Sequence, residues 1–315
     1  MLTTRCALCG AELASALTTC SHEDGIENWT TEGRLFVPGG HVSWRRIGNG
    51  PKTPLLLVHG GPGATSDYFD PIAGLGFERP LFTWDQLGNG RSDRPSDASL
   101  WTLERFVVEL EMVRTTLGLE RVHVLGHSWG GLLTMEWLRT MRPSGIDSVI
   151  FAGAPLDVPR SAHDRLLLIG QLSPASQAVL AEVARTGDFT SPALESIREE
   201  YSRKHYARTR PDLQSGRDVN PAPLEALFGS GPIPTGTLKD WDRSIELPEL
   251  RMPVSFMAGE FDDSTPETNR AYASLHPGSE LRVISDAGHM IFLDNPSATQ
   301  NAIQSFLARV EDGLF

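Results

Sequence analysis

A chain of 315 residues, 40% hydrophobic and 22% charged, can bury a large core and suits one elaborated domain better than two independent ones. Its formal net charge of −12 argues against nucleic acid or an anionic membrane as partner, since both need clustered Lys and Arg. The nearest basic group, Arg203, Lys204, Arg208 and Arg210, is interrupted and follows Glu199 and Glu200. No apolar run reaches the roughly 18–20 residues of a membrane-spanning helix.

All three cysteines, Cys6, Cys9 and Cys20, lie at the N-terminal end. The fold is therefore expected to need no disulfide, which fits a reducing cytoplasm. "CALCG" with Cys20 and His22 offers four soft ligands, the raw material of a zinc site. There is no second CxxC, however, and residues 1–25 are expected to be a poorly ordered tail. Glu12 interrupts the only short apolar segment there, and no A-x-A site follows, which argues against a signal peptide.

From residue 35 the elements alternate. "LFVPGGHVSWRRIG" (35–48) predicts a hairpin turning at Gly39-Gly40. The continuous apolar runs 53–61 and 79–88 predict strands buried on both faces. Helical spacing of Leu103, Phe106, Val107, Leu110, Val113 and Leu117 stops at Gly118. A strand at 121–128, a helix at 129–141 and a strand at 147–155 follow. Alternation breaks at Pro155, where residues 156–237 carry amphipathic helical stretches (165–187 and 191–209) and then a Pro/Gly-rich passage. It resumes with a strand at 252–262, a helix from Pro266, a strand at 280–289 and a last helix from Pro296. The pattern predicts an α/β fold: a mostly parallel sheet over 26–155 and 238–315, covered on both faces and interrupted by a helical insertion.

"GHSWG" (126–130) fits G-x-S-x-G with a strand before it and a helix after it. Glycines permit the tight turn that lifts Ser128 above the sheet, with the helix N-terminus beside the oxyanion it would form. A serine hydroxyl needs a base, itself oriented by a third group. Of the later histidines, His163 and His205 fall in the insertion and His276 follows a helix. Only His289, in "DAGH", follows a strand. The acid should end the preceding strand, where Asp262 and Asp263 stand side by side. "HGGPG" (59–63) places small residues after a buried strand, so its amides can approach a substrate. The oxyanion hole is assigned to the amides of Gly61 and Trp129.

"HGGPG" (59–63), "WDQLGNGRS" (84–92), "GHSWGG" (126–131), "GTLKDWD" (236–242), "GEFDDSTPE" (259–267) and "AGH" (287–289) together resemble the prolyl aminopeptidase (proline iminopeptidase) branch of the α/β-hydrolases. The resemblance runs from about residue 30 to the C-terminus. It implies an eight-stranded hydrolase core with a helical cap, and a triad of Ser128, Asp262 and His289. It selects Asp262 over Asp263 as the acid and gives Asp263 the place of a glutamate that, in relatives of the tricorn-interacting type, helps bind the substrate's free α-amino group. A second glutamate of those relatives would fall near Gly231, where no acid is present; Glu225, Glu199 or Glu200 would have to reach the space from elsewhere.

The leading expectation is hydrolysis of a small amide, removing an N-terminal residue such as proline through an acyl-enzyme, with no metal or organic cofactor. The partner would be a small molecule or short peptide. The missing cap glutamate motivates an alternative, an esterase, lactonase or neutral-amide hydrolase with the same triad. A non-hydrolytic receptor with a hydrolase pocket is the remote third. Aspartate-nucleophile chemistries are disfavoured because serine stands at 128.

Overall fold

The computed structural model describes residues 4–5, 20–21, 27–28, 30–186, 191–209, 219–229, 231 and 233–315. Its main sheet is built from β1 (Thr30–Val37), β2 (Gly40–Ile47), β3 (Leu55–Val58), β4 (Leu81–Asp85), β5 (Val122–His127), β6 (Ile146–Ala152), β7 (Val254–Gly259) and β8 (Glu280–Ile284). These run in the order β1-β2-β4-β3-β5-β6-β7-β8. β1 and β2 form an antiparallel hairpin, β2 pairs antiparallel with β4, and every later pairing is parallel. The hairpin turns at Pro38-Gly39, one residue earlier than expected. Thr4–Arg5 adds a short ninth strand against Thr30 and Thr31, so the N-terminal tail touches the sheet edge, outside the eight strands expected. Cys6, Cys9 and His22, weighed above as metal ligands, lie outside the described residues; Cys20–Ser21 pairs with Glu27–Asn28.

Alternation along each strand sorts the core into two layers. Leu56 and Val58 face one side, with Phe106 and Val113 of α1 (Leu103–Thr116) and Trp137 of α2 (Trp129–Met141). Leu55 and Leu57 face the other, with Phe69 and Ile72 of a 3-10 segment (Ser66–Phe77) and Phe306 of the C-terminal helix Pro296–Glu311. The sequence pattern shows nothing helical at Ser66–Phe77, because Pro71, Gly74 and Gly76 interrupt any regular period.

Between β6 and β7 lie α3 (Val158–Ile169), α4 (Pro174–Thr186), α5 (Ala193–Tyr201) with a π-helical turn (Ser202–Tyr206), and α6 (Pro221–Leu227). The stretch expected as helical over 165–187 is in fact two helices meeting at 119°, broken at 170–173. Asp157 caps α3, accepting from the Arg160 amide, and starts it earlier than the periodicity suggests. Then follow α7 (Pro266–Leu275), α8 (Ile291–Asp294) and α9 (Pro296–Glu311). Among the described residues no single helix is long and apolar enough to cross a membrane.

Candidate active site

The loops after β3, β5, β7 and β8 bring the singled-out residues to one end of the sheet, the carboxyl ends of its parallel strands. Ser128 sits between β5 and α2 with φ 55 and ψ −126, a left-handed conformation that a non-glycine residue adopts only under constraint. The constraint comes from both sides. The Ser128 amide donates to Ala152 O at 2.8 Å, and the Gly131 amide donates to Ser128 O at 2.8 Å. A Cβ on Gly126 would strike Thr134 Oγ1 and Gly130 O, and one on Gly130 would strike the carbonyl of Val58. The motif's glycines are the space that the turn occupies.

His289 follows β8, and its ring is held by the loop after β7. Its Nδ1 is 2.8 Å from Asp262 Oδ1 and 3.3 Å from Asp263 Oδ1. Because the carboxylates only accept, Nδ1 carries the proton and Nε2 is left for another partner. Asp262 itself is oriented by the Ser264 amide at 2.8 Å and the Gly259 amide at 3.3 Å. Burial alone would lower the His289 pKa, but the charges of Asp262 and Asp263 outweigh it and push it up to about 9. Burial raises Asp262, whereas Asp263 is held below the ordinary carboxylate range by the charges of His289 and Arg165 despite its burial.

Gly153, just past β6, is a participant the sequence reading missed. Its φ is +53, and a Cβ there would lie 3.0 Å from both Asp262 Oδ2 and His289 Nδ1. "FAGAP" holds the signal: a glycine directly after a buried strand, at the same sheet end as the serine.

Two hydrogen-bond chains, the first half-buried and the second buried, lock the pieces together. In the first, the Gly60 amide donates to Tyr68 OH (2.6 Å), which lies 2.9 Å from His127 Nδ1, while His127 Nε2 lies 3.0 Å from the His289 carbonyl. A carbonyl can only accept, so Nε2 is protonated and the Tyr68 hydroxyl donates to Nδ1. Burial holds His127 well below its ordinary pKa, which keeps this tautomer. In the second, the Gln86 amide donates to His59 Nε2, its side chain donates to His59 O, and its Oε1 accepts from the Trp129 indole, each at 2.9 Å. Asp85 accepts from Ser66 and Arg91, fixing the 3-10 segment. The D-Q pair of "WDQLGNGRS" is thus framework for the site.

Gly60 has its amide committed to Tyr68, and a Cβ on it would meet Ser128 Cβ at 2.9 Å. Among the described residues the amides of Gly61 and Trp129 donate to no protein acceptor, which is what an oxyanion hole requires of them.

The inserted helices close over this end. The His289 and Met290 amides donate to the carbonyls of His205 (2.9 Å) and Tyr206 (2.8 Å), and the Tyr206 ring stacks on His289 at 5.2 Å. From the other side the Asn220 amide donates to Gly63 O in "HGGPG" at 3.1 Å. Asp263, 8% exposed, has Oδ2 3.2 Å from the Tyr201 hydroxyl and 3.7 Å from Arg165 Nε. None of the three glutamates considered as its partner is placed beside it by a contact. Glu200 caps the start of α4 through Ser173 and Ser176, Glu199 pairs with Arg203, and Glu225 is exposed on α6.

A model of the alpha/beta hydrolase fold family matches residues 53–296. A proline iminopeptidase of Heyndrickxia coagulans is 34% identical over 285 residues, covering 88% of this chain and 98% of the relative. That of Levilactobacillus brevis is 36% identical over 266 residues, covering 82% and 89%. Among solved structures, the proline iminopeptidase of Mycobacterium smegmatis superposes with a TM-score of 0.79 at 27% identity, covering 90% of this chain and all of that one. The strained serine turn, the buried His–Asp pair and these likenesses agree: the chain is a serine hydrolase and belongs to the proline iminopeptidase family of α/β-hydrolases.

Proposed function

We propose that the protein removes an N-terminal residue, proline foremost, from short peptides or amino-acid amides. The observation that carries this is the His289–Asp262 pair lying with the strained Ser128 turn beneath inserted helices, in a chain that spans nearly the whole of relatives named proline iminopeptidase. In this reading Ser128 Oγ attacks the scissile carbonyl and His289 Nε2 takes its proton. The amides of Gly61 and Trp129 receive the oxyanion, Asp262 steadies the imidazolium, and His289 then protonates the departing amine. Water, activated by the same base, releases the acyl group. The inserted helices limit substrates to those with a short acyl part. The reading needs no cofactor, nucleic acid or membrane, and the confinement of cysteines to the N-terminal end supports a cytoplasmic setting.

One observation favours a second reading, an esterase or neutral-amide hydrolase. Asp263, the acid to which the family resemblance would give a substrate ammonium, is already held by Arg165, Tyr201 and His289.

Purified protein is assayed on prolyl- and alanyl-p-nitroanilide, their N-acylated forms and short-chain p-nitrophenyl esters, beside Ser128→Ala. Turnover of the free-amine anilides that disappears on N-acylation, and in Ser128→Ala, is the expected result. Hydrolysis of acylated amides or esters alone would establish the second reading instead. Equal rates in Ser128→Ala would reject the serine mechanism.

A further inference from the structure

Two adjacent acids, Asp262 and Asp263, approach one ring nitrogen of His289, and only the first is needed to orient it. The second is distinguished by where its other oxygen goes. Asp263 Oδ1 lies 3.3 Å from His289 Nδ1, whereas Oδ2 faces Tyr201 OH at 3.2 Å and Arg165 Nε at 3.7 Å. Tyr201 ends α5 and Arg165 lies in the middle of α3, so both partners come from the inserted helices.

The α3 end of this link is anchored independently. Asp164 accepts from Thr265 and Thr268 at the start of α7, and Arg160 Nε donates to Thr268 Oγ1 at 2.8 Å. Arg165 is therefore carried on a helix already fixed to the loop that bears both acids. The α5 end continues into the turn whose carbonyls, at His205 and Tyr206, hold the amides of His289 and Met290. An ammonium group seeking Asp263 Oδ2 would have to displace a tyrosine hydroxyl and compete with a guanidinium, leaving a partly covered cation without its anion.

We propose that Asp263 is a positioning residue that ties the inserted helices to the catalytic base, sharing His289 with Asp262 through one oxygen and holding Arg165 and Tyr201 through the other. Substrate amine recognition is then not its task. The proposal rests on the reading of Ser128, Asp262 and His289 as the catalytic set, but not on the peptidase assignment, because a positioning defect acts on every substrate.

The test compares Asp263→Asn, Arg165→Met and Tyr201→Phe with wild type on an alanyl anilide and on p-nitrophenyl acetate, with full pH profiles. The groups facing His289 are Asp262 and Asp263 from the β7 loop, His127 from β5, and Tyr206 and Arg165 from the inserted helices, while Tyr201 and His205 act on Asp263. Of these, Asp263 favours the imidazolium and Arg165 opposes it. Asp263→Asn should therefore move the acid limb of kcat/KM to lower pH, by about one unit, and Arg165→Met should move it to higher pH. Asp263→Asn should lower kcat about ten-fold on anilide and ester alike, with KM little changed. The double variant Asp263→Asn/Arg165→Met should be no worse than Asp263→Asn alone, since the two act through one contact.

The opposite result would overturn the proposal: a KM rise for the free-amine anilide alone, with ester kcat and both pH limbs unmoved, would make Asp263 an amine reader. Thermal melts report whether each variant folds. Should Asp263→Asn not fold, Arg165→Met and Tyr201→Phe still decide, because an unmoved acid limb and unchanged kcat in both would sink the link. Wild-type protein active on ester but not on anilide would refute the peptidase reading and leave this test intact on the ester arm.

Discussion

At the scale of single residues, the site depends on what is absent from Gly153 as much as on what His289 carries. The φ of +53 at Gly153 costs an L-residue roughly 1–2 kcal/mol, and a methyl group would press on Asp262 Oδ2 and His289 Nδ1 at 3.0 Å. Gly153→Ala should thus lose about that much stability in a denaturant titration, and lower kcat by at least about ten-fold by shifting the base. The charge on His289 has its own consequence. In the proposed mechanism His289 must be neutral at Nε2 to accept the serine proton, and two carboxylates push its pKa up to about 9 from the ordinary 6.5. Ester hydrolysis should accordingly keep rising above pH 7, where an unperturbed histidine would already have levelled off. Linkage runs the other way: the imidazolium's contribution to stability is full below 6.5 and is lost as pH rises through about 9. A pH–rate profile beside melts at pH 6 and pH 9.5 checks both signs.

At the scale of elements, Tyr68 joins three of them. Its hydroxyl takes the Gly60 amide from the loop after β3 and lies against His127 Nδ1 at the end of β5, while His127 reaches the carbonyl of His289 after β8. Tyr68→Phe leaves a buried amide and a buried ring nitrogen unpaired, at about 1–3 kcal/mol each where water cannot replace the hydroxyl. We expect a destabilisation in that range by chemical denaturation, and, on the proposed mechanism, kcat falling more than KM rises, because both the loop after β3 and His289 lose a constraint. This relay also marks where the sequence stops being legible. Strands such as Leu55–Val58 and Val122–His127 are visible as short apolar runs because they are buried on both faces, and the serine turn is visible because its glycines are sterically compulsory. Tyr68 is not visible. It stands in a 3-10 segment whose Pro71 and glycines hide any regular period, and its role depends on contacts 8 and 59 residues away along the chain. Asp263 shows a different limit. Its place in the motif was readable, but its pairing with Arg165 and Tyr201 arises from the packing of inserted helices that no local pattern specifies.

At the scale of the whole molecule, the inserted helices and the loop bearing His289 share one anchor. Asp294, at the end of α8, accepts from the amides of Arg208 and Thr209 and the Thr209 hydroxyl, just beyond the π-helical turn. The same carboxylate accepts from the Gly288 amide at 2.9 Å, one residue before His289. One side chain therefore satisfies backbone donors from both the sheet-end loop and the returning chain of the insertion, next to the two amide–carbonyl bonds that join His289 and Met290 to His205 and Tyr206. Asp294 is only partly buried, so water can replace some of these bonds, and its loss should loosen the junction without unfolding the sheet. Asp294→Ala should raise amide hydrogen exchange at 203–209 and 287–291 together, while β5 and β6 keep wild-type protection. If His289 is the base proposed above, activity should fall on ester and anilide substrates alike, since its ring becomes less well held. Faster exchange confined to 203–209, with His289 and kcat unaffected, would mean that the insertion moves independently of the base. In that case the geometry of His289 would be set by the sheet-end loops alone, and the stacked Tyr206 ring would follow the histidine rather than help to fix it.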